Sequence, residues 1–115
     1  MKSGFFRVAA VVPPVEIANP QANASHIIDE LRSLDGQGVD LAVFPELCVT
    51  GYTCGDLFHS RLLLDKSDEA LLRIAAATAD LHLVAVVGAP VRSGGSLYNC
   101  AVVVSGGEVR MVVPK

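Results

Sequence analysis

The chain has 115 residues, of which 51% are hydrophobic and 18% are charged, and its formal net charge is -3 at pH 7. This length is typical of one globular domain, and no cluster of lysines and arginines occurs along it. Composition and charge therefore argue against nucleic acid or an anionic membrane as partner, and no apolar run approaches the roughly 18 residues of a membrane-spanning helix.

The first half of the chain predicts a βαβ unit. Residues 5–12 are rich in aromatic and β-branched residues and stop at a proline pair, which is typical of a buried strand. Asn19 followed by Pro20 is an N-cap pattern, and apolar residues at helical spacing predict a helix over residues 20–34. The apolar run over residues 41–44 predicts a second strand. Because a helical crossover joins parallel strands, we expect these two strands to be parallel.

The second half predicts another helix and three more strands. Residues 45–60 carry many turn-forming residues, so we expect an exposed loop with at most one helical turn. Residues 62–81 have one apolar and one charged face, which predicts the second helix. Strands are predicted over residues 83–87, 97–104 and 108–113, the last two as an antiparallel hairpin.

Two breaks are expected in this half, because Gly88-Ala89-Pro90 would close the strand before it and residues 92–96 would form only a loop. The element order β-α-β-α-β-β-β predicts an α/β layered domain. Two helices cannot cover both faces of a five-stranded sheet, so apolar surface should stay exposed on one face. Residues 1–115 are therefore expected to be part of a larger domain.

The cysteines and histidines predict neither disulfides nor a metal site. Cys48, Cys54 and Cys100 are an odd number at irregular spacing, which favours a reducing cytoplasm and packing roles. The three histidines lie far from one another and from the cysteines in sequence, so we expect no metal. Arg7 interrupts the apolar amino-terminal segment, which argues against a signal peptide.

Two charged residues stand at the ends of predicted strands. Glu46 follows a Phe-Pro pair at the carboxyl edge of the predicted parallel sheet, where ligands of open α/β folds usually bind. Lys115 follows the last strand, directly after Pro114, whose ring restricts the backbone direction at this point. By position alone, Glu46 is equally consistent with a loop cap, and a terminal lysine is ordinarily a solvated surface group.

Four motifs in chain order carry a resemblance to a known family. They are LAVFPELCVTGY at 41–52, VGAP at 87–90, LYNCA at 97–101 and VPK at 113–115. With these motifs the chain resembles the nitrilase, or carbon-nitrogen hydrolase, superfamily, and within it the amino-terminal glutaminase domains of glutamine-dependent NAD+ synthetases. The resemblance runs over nearly the whole chain. It implies a nitrilase-like layered α/β sandwich, of which this chain is the first half of an α-β-β-α fold.

The family uses a glutamate, a lysine and a cysteine for catalysis. The resemblance implies Glu46 as the general base and Lys115 as the cation that stabilises the oxyanion. It also implies that Tyr52 lines a glutamine pocket, although a tyrosine packed in its loop is the alternative. Asn99 is expected to be a supporting or turn residue. The family's nucleophilic cysteine lies on a later strand, so the 115 residues alone are expected to be inactive.

The resemblance further implies glutamine as substrate and ammonia delivery to a synthetase domain that makes NAD+ from deamido-NAD+. It implies no cofactor for the glutaminase part, and ATP and Mg2+ for the absent synthetase domain. The partners it implies are the missing second half of the domain, the synthetase domain and further copies of the chain in a homo-oligomer. Another amidase or nitrilase of the superfamily and a non-catalytic assembly fragment remain alternatives. A doubly wound nucleotide-binding module is disfavoured, because neither Gly-x-Gly-x-x-Gly nor a Gly-Lys-Ser/Thr loop is present.

Overall fold

The computed structural model describes residues 4–115, apart from the side chain of Asp56. The start of the segment considered as a signal peptide, residues 1–3, lies outside this range. The elements are β1 (Val8–Ala10), α1 (Pro20–Gly36), β2 (Leu41–Val43), a 3-10 turn (Gly55–His59), α2 (Arg61–Ala77), β3 (Val84–Ser93), β4 (Ser96–Ser105) and β5 (Glu108–Pro114). Their order is the predicted β-α-β-α-β-β-β. Within residues 4–115, neither helix has the length and apolarity needed to cross a membrane.

All five strands form one mixed sheet in the order β1-β2-β3-β4-β5. β1, β2 and β3 run parallel, which confirms the βαβ prediction. β4 is antiparallel to both β3 and β5, so the predicted hairpin of the last two strands is also confirmed. The carboxyl end of β2 and the start of the following loop therefore lie beside the long β3–β4–β5 meander.

The predicted break after residue 87 is wrong. β3 continues to Ser93 and forms a second hairpin with β4 through Gly94-Gly95, both at positive φ as a tight two-residue turn requires. Pro90 is tolerated inside this strand because it lies opposite Asn99, whose carbonyl faces β5 and accepts from the Lys115 amide. At this pair the β3–β4 ladder needs no N–H from β3.

Both helices pack on the same face of the sheet. Asn19 caps α1 by accepting from the Ala22 amide, and Ser60 caps α2 by accepting from the Leu63 amide. Their apolar faces cover alternate residues of the strands. The core contains Ile27 and Leu31 of α1, Leu71 and Ile74 of α2, and Ala42, Ala85, Val87, Val102 and Val104 of the sheet.

The opposite face of the sheet has no helix over it within residues 4–115. The apolar side chains of Val43, Met111 and Val113 are 38%, 58% and 44% exposed there. Exposed apolar surface on one face was the expectation from two helices and five strands. We call this surface, defined by Val43, Ala101, Met111 and Val113, the uncovered face of the sheet.

Candidate active site

Glu46 and Lys115 meet at one edge of the sheet. The ammonium Nζ of Lys115 donates to Oε1 of Glu46 at 2.9 Å, although the two residues are 69 positions apart in sequence. Glu46 enters from the loop after β2, and Lys115 enters from the end of β5. Their side chains are 38% and 73% exposed, respectively, so the pair lies open to solvent.

A depression of about 410 Å3 opens beside this pair. Its polar lining comes from Glu46, Asn99 and Lys115. Its apolar lining comes from the uncovered face of the sheet, including Val43 and Val113. An open depression with a few convergent polar groups on an apolar floor has the composition of a ligand site.

A strained turn holds the backbone of Glu46. Leu47, the next residue, has a φ of 53°, a left-handed conformation that is rare for a residue with a branched side chain. The Leu47 carbonyl accepts from the Gly51 amide at 2.8 Å and from the Thr50 amide at 3.2 Å, which closes the turn. Leu47 is buried while Glu46 is not, so this conformation directs the carboxylate away from the core.

The turn rests directly on Gly88 of β3. The Val49 amide donates to the Gly88 carbonyl at 3.0 Å, and the Gly88 amide donates to the sulfur of Cys48 at 3.5 Å. A β-carbon at Gly88 would lie only 2.7 Å from the carbonyl oxygen of Pro45. Gly88 was interpreted from the sequence only as a strand break. A glycine inside a run of β-branched strand residues is also the signal of a close backbone approach, and this is its role here.

Asn99 contacts both members of the pair. Its side-chain amide donates to Oε1 of Glu46, the same oxygen that accepts from Lys115. Its backbone carbonyl accepts from the Lys115 amide at 2.9 Å. The sequence indicated a supporting residue at this position without indicating what it would support.

The contacts of the pair keep both groups charged near neutral pH. The hydrogen bond from Lys115, and then the one from Asn99, lower the pKa of Glu46 below its usual value. The hydrogen bond to Glu46 is the main cause that raises the pKa of Lys115, and the nearby Tyr52 adds a smaller contribution. The arrangement offers an ionised carboxylate that can accept a proton beside a cation that can stabilise a negative oxygen.

Tyr52 lies six residues beyond Glu46, in the same connection. Its side chain is 64% exposed, so it is not packed into the loop. Tyr52 is not among the residues that line the depression beside Glu46 and Lys115.

The three cysteines have no accessible thiol, although Cys100 is among the residues that line the depression. Cys48, Cys54 and Cys100 are all buried and free. Burial raises the pKa of Cys48 to about 11, so its thiol stays protonated near neutral pH. The sulfur of Cys54 donates to the carbonyl of Thr50 at 3.2 Å. None of the three offers an accessible thiolate, in agreement with the packing roles that the sequence indicated.

No group of three or more histidine, cysteine and acidic side chains in the part of the chain that the structure describes is arranged to hold a metal ion.

The chain is similar to known proteins over nearly its whole length. The family model described as carbon-nitrogen hydrolase matches residues 7–110. The glutamine-dependent NAD(+) synthetase of Mycobacterium tuberculosis is 46% identical over 112 residues, which are 97% of this chain and 16% of that protein. The synthetase of the same name from Xylella fastidiosa is 36% identical over 114 residues, covering 98% of this chain and 21% of its own length. The chain thus spans about a fifth or less of these relatives.

Solved structures show the same fold. The glutamine-dependent NAD(+) synthetase from Cytophaga hutchinsonii superposes with a TM-score of 0.85 at 28% identity, over 93% of this chain and 18% of that one. A mutant of the Nesterenkonia amidase from the nitrilase superfamily superposes with a TM-score of 0.84 at 24% identity, over 96% of this chain and 42% of that one. At this identity the amidase supports the fold alone.

Proposed function

Because this chain belongs to the carbon-nitrogen hydrolase family, we propose that it supplies the acid-base half of a glutamine-hydrolysing site. Glu46 is the general base, Lys115 stabilises the oxyanion, and Tyr52 contacts the glutamine substrate. The main support is the 2.9 Å contact that brings Glu46 and Lys115 together across 69 positions of sequence, beside a depression of about 410 Å3.

The proposed chemistry divides amide hydrolysis into two steps. Glu46 takes the proton of a cysteine thiol, and the thiolate attacks the carboxamide carbon of glutamine. The negative charge that develops on the carbonyl oxygen lies against the ammonium of Lys115. Glu46 then gives its proton to the amide nitrogen as the carbon-nitrogen bond breaks, so that ammonia leaves and the glutamyl group remains on the cysteine as a thioester. Water, activated by Glu46, attacks the thioester to release glutamate and restore the thiol.

The nucleophilic thiol of this scheme comes from outside residues 4–115. The three cysteines of the described chain are buried, and the pKa of Cys48 is raised to about 11, so none suits the attack. We therefore propose that residues 1–115 are the first portion of a nitrilase-like domain whose second portion supplies the nucleophile. The same second portion would cover the uncovered face of the sheet.

Covering that face has a chemical consequence for Glu46. In the open depression its pKa is lowered by Lys115 and Asn99, which makes the carboxylate a weak base. A covering layer would remove water from the carboxylate and raise its pKa toward the range useful for proton transfer. The complete site therefore needs the covering layer for basicity as well as for the thiol.

For the whole protein we propose a glutaminase that passes ammonia to a synthetase domain, which converts deamido-NAD+ to NAD+ with ATP and Mg2+. The support is the 46% identity to the Mycobacterium tuberculosis synthetase over 97% of this chain. A cytoplasmic homo-oligomer belongs to the same proposal, as does the absence of a cofactor in the glutaminase part.

A second candidate is an amidase or nitrilase that acts on another amide or nitrile. The TM-score of 0.84 to the Nesterenkonia amidase, against 0.85 to the Cytophaga hutchinsonii synthetase, leaves the backbone equally suited to both. A third alternative, a non-catalytic assembly fragment, gives no reason for the contact between Glu46 and Lys115.

Ammonia release from glutamine and from a simple aliphatic amide, measured with the full-length protein that contains this chain, tests the proposal. Glu46→Gln and Lys115→Met should each lower kcat by about 100-fold or more, and Tyr52→Phe should raise KM for glutamine. Lys66→Met is the matched control, because Lys66 forms an exposed ion pair with Glu69 on α2. Full activity of Glu46→Gln would overturn the mechanism, and preference for the aliphatic amide would favour the second candidate.

A further inference from the structure

The two carboxylate oxygens of Glu46 have different surroundings. Oε1 accepts from the side chains of both Lys115 and Asn99. Oε2 accepts no hydrogen bond from any residue in the range 4–115. A carboxylate can accept several hydrogen bonds, so this asymmetry leaves one oxygen anchored and the other free to take a proton.

Asn99 is placed to keep Oε1 of Glu46 hydrogen-bonded while Oε2 stays free. It lies in β4 with a neighbouring strand on each side, so the backbone around it is held in place by hydrogen bonds to both strands. Its carbonyl accepts from the Lys115 amide, which aligns the end of β5 with the same point. Asn99 therefore holds both the side chain of Glu46 and the backbone of Lys115 by hydrogen bonds.

We propose that Asn99 is the positioning residue of the site, which anchors Oε1 of Glu46 and leaves Oε2 as the oxygen that accepts the proton of the nucleophile. This inference rests on the proposed function. Asn99 bonds to the oxygen that does not take the proton, so it acts through Glu46.

The side chain at position 99 is a neutral amide, and this suits its hydrogen bond to Glu46. A neutral amide donates a hydrogen bond without adding charge, so Lys115 remains the only cation bonded to the carboxylate within residues 4–115. An aspartate of the same shape would place a second carboxylate against Oε1, and like charges at that separation disfavour ionisation. Asn99→Asp thus changes the electrostatics with little change in packing, whereas Asn99→Ala removes the contact altogether.

The pH dependence of kcat/KM for glutamine in the full-length protein distinguishes positioning from a structural role. The acid limb follows ionisation of Glu46, whose pKa is lowered in part by the bond from Asn99. Loss of that bond should move the limb to higher pH in Asn99→Ala and further in Asn99→Asp. The value of kcat at its optimum should fall by up to about 100-fold, with KM little changed. Ser96→Ala, on the same strand but outside the depression, should leave the limb in place.

A titration of the Glu46 carboxylate by carbon NMR, with labelled glutamate in the same protein, makes the test independent of turnover. An upward shift in both variants, with unfolding midpoints close to that of the wild type, supports the proposal. An unshifted acid limb and an unshifted Glu46 titration overturn it. If the wild type releases no ammonia from glutamine, the proposed function fails, and the Glu46 titration still decides whether Asn99 positions the carboxylate.

Discussion

A β-carbon placed on Gly88 would lie 2.4 Å from the backbone nitrogen of Leu47. The two backbones are in direct contact, since the strained turn after β2 lies on β3 without any side chain between them. The backbone of Leu47 is strained, with a positive φ of 53°. Gly88 permits the contact because it has no β-carbon. The position of Glu46, one residue before Leu47, depends on this contact.

Gly88→Ala should therefore destabilise the protein by about 3 kcal/mol or more, because backbone rather than a flexible side chain must move. Urea unfolding followed by circular dichroism measures the loss. Gly36→Ala is the control, since Gly36 has open space around it at the end of α1 and should change stability little. Equal stability of the two variants would contradict the close approach.

Cys48 should resist alkylation in the native protein. Its raised pKa of about 11 keeps the thiol neutral at pH 8, and burial blocks the reagent. Mass spectrometry after brief iodoacetamide treatment should find Cys48 unmodified in the folded protein and modified in urea. Thr53→Cys, at an exposed position of the same loop, provides a reactive comparison within one chain. Rapid native labelling of Cys48 would show that the thiol is accessible.

The contact between Glu46 and Lys115 should contribute to stability only within a window of pH. The pKa of Glu46 is lowered from 4.5, so the contribution is present above that value and disappears as pH falls through the folded-state pKa. The pKa of Lys115 is raised from 10.5, so the contribution is present below that value and disappears as pH rises through the folded-state pKa.

Lys115→Met should consequently lower the unfolding midpoint slightly at pH 7 and leave it unchanged near pH 3. The effect is small because both side chains are exposed and water screens their attraction. In the same variant the pKa of Glu46 should rise toward its ordinary value. A wild-type titration of Glu46 identical to that of the variant would show that the ion pair does not form in solution.

Asn23 should be the polar residue of α1 whose loss is most destabilising. It is buried, its amide donates to the carbonyls of Glu16 and Val49 at 2.8 and 2.9 Å, and its oxygen accepts from the Glu16 amide at 2.7 Å. Asn23→Ala leaves these backbone groups unpaired and should cost at least about 2 kcal/mol in urea unfolding. Asn19→Ala removes only the exposed N-cap and should cost about 1 kcal/mol. The reverse order would be incompatible with these contacts.

Much of the fold could be predicted because its signals are local. Capping residues and helical periodicity indicated α1 and α2 to within a few residues, and the crossover helix required β1 and β2 to be parallel. The continuation of β3 through Gly88 and Pro90 could not be predicted in this way. Both residues are strand breakers in isolation, and only their partners across the chain make them acceptable.

The candidate site, too, could be predicted from the sequence only where its features depend on neighbouring residues. The sequence alone placed Glu46 and Lys115 at strand ends and matched them to family motifs, because those features depend on neighbouring residues. The tertiary structure decided that these two side chains lie 2.9 Å apart and that Asn99 shares the same carboxylate oxygen. The physical reason is that such a distance depends on the order and register of four paired strands. Register is set by hydrogen bonds between segments that are distant in sequence, so it cannot be predicted from a local sequence pattern.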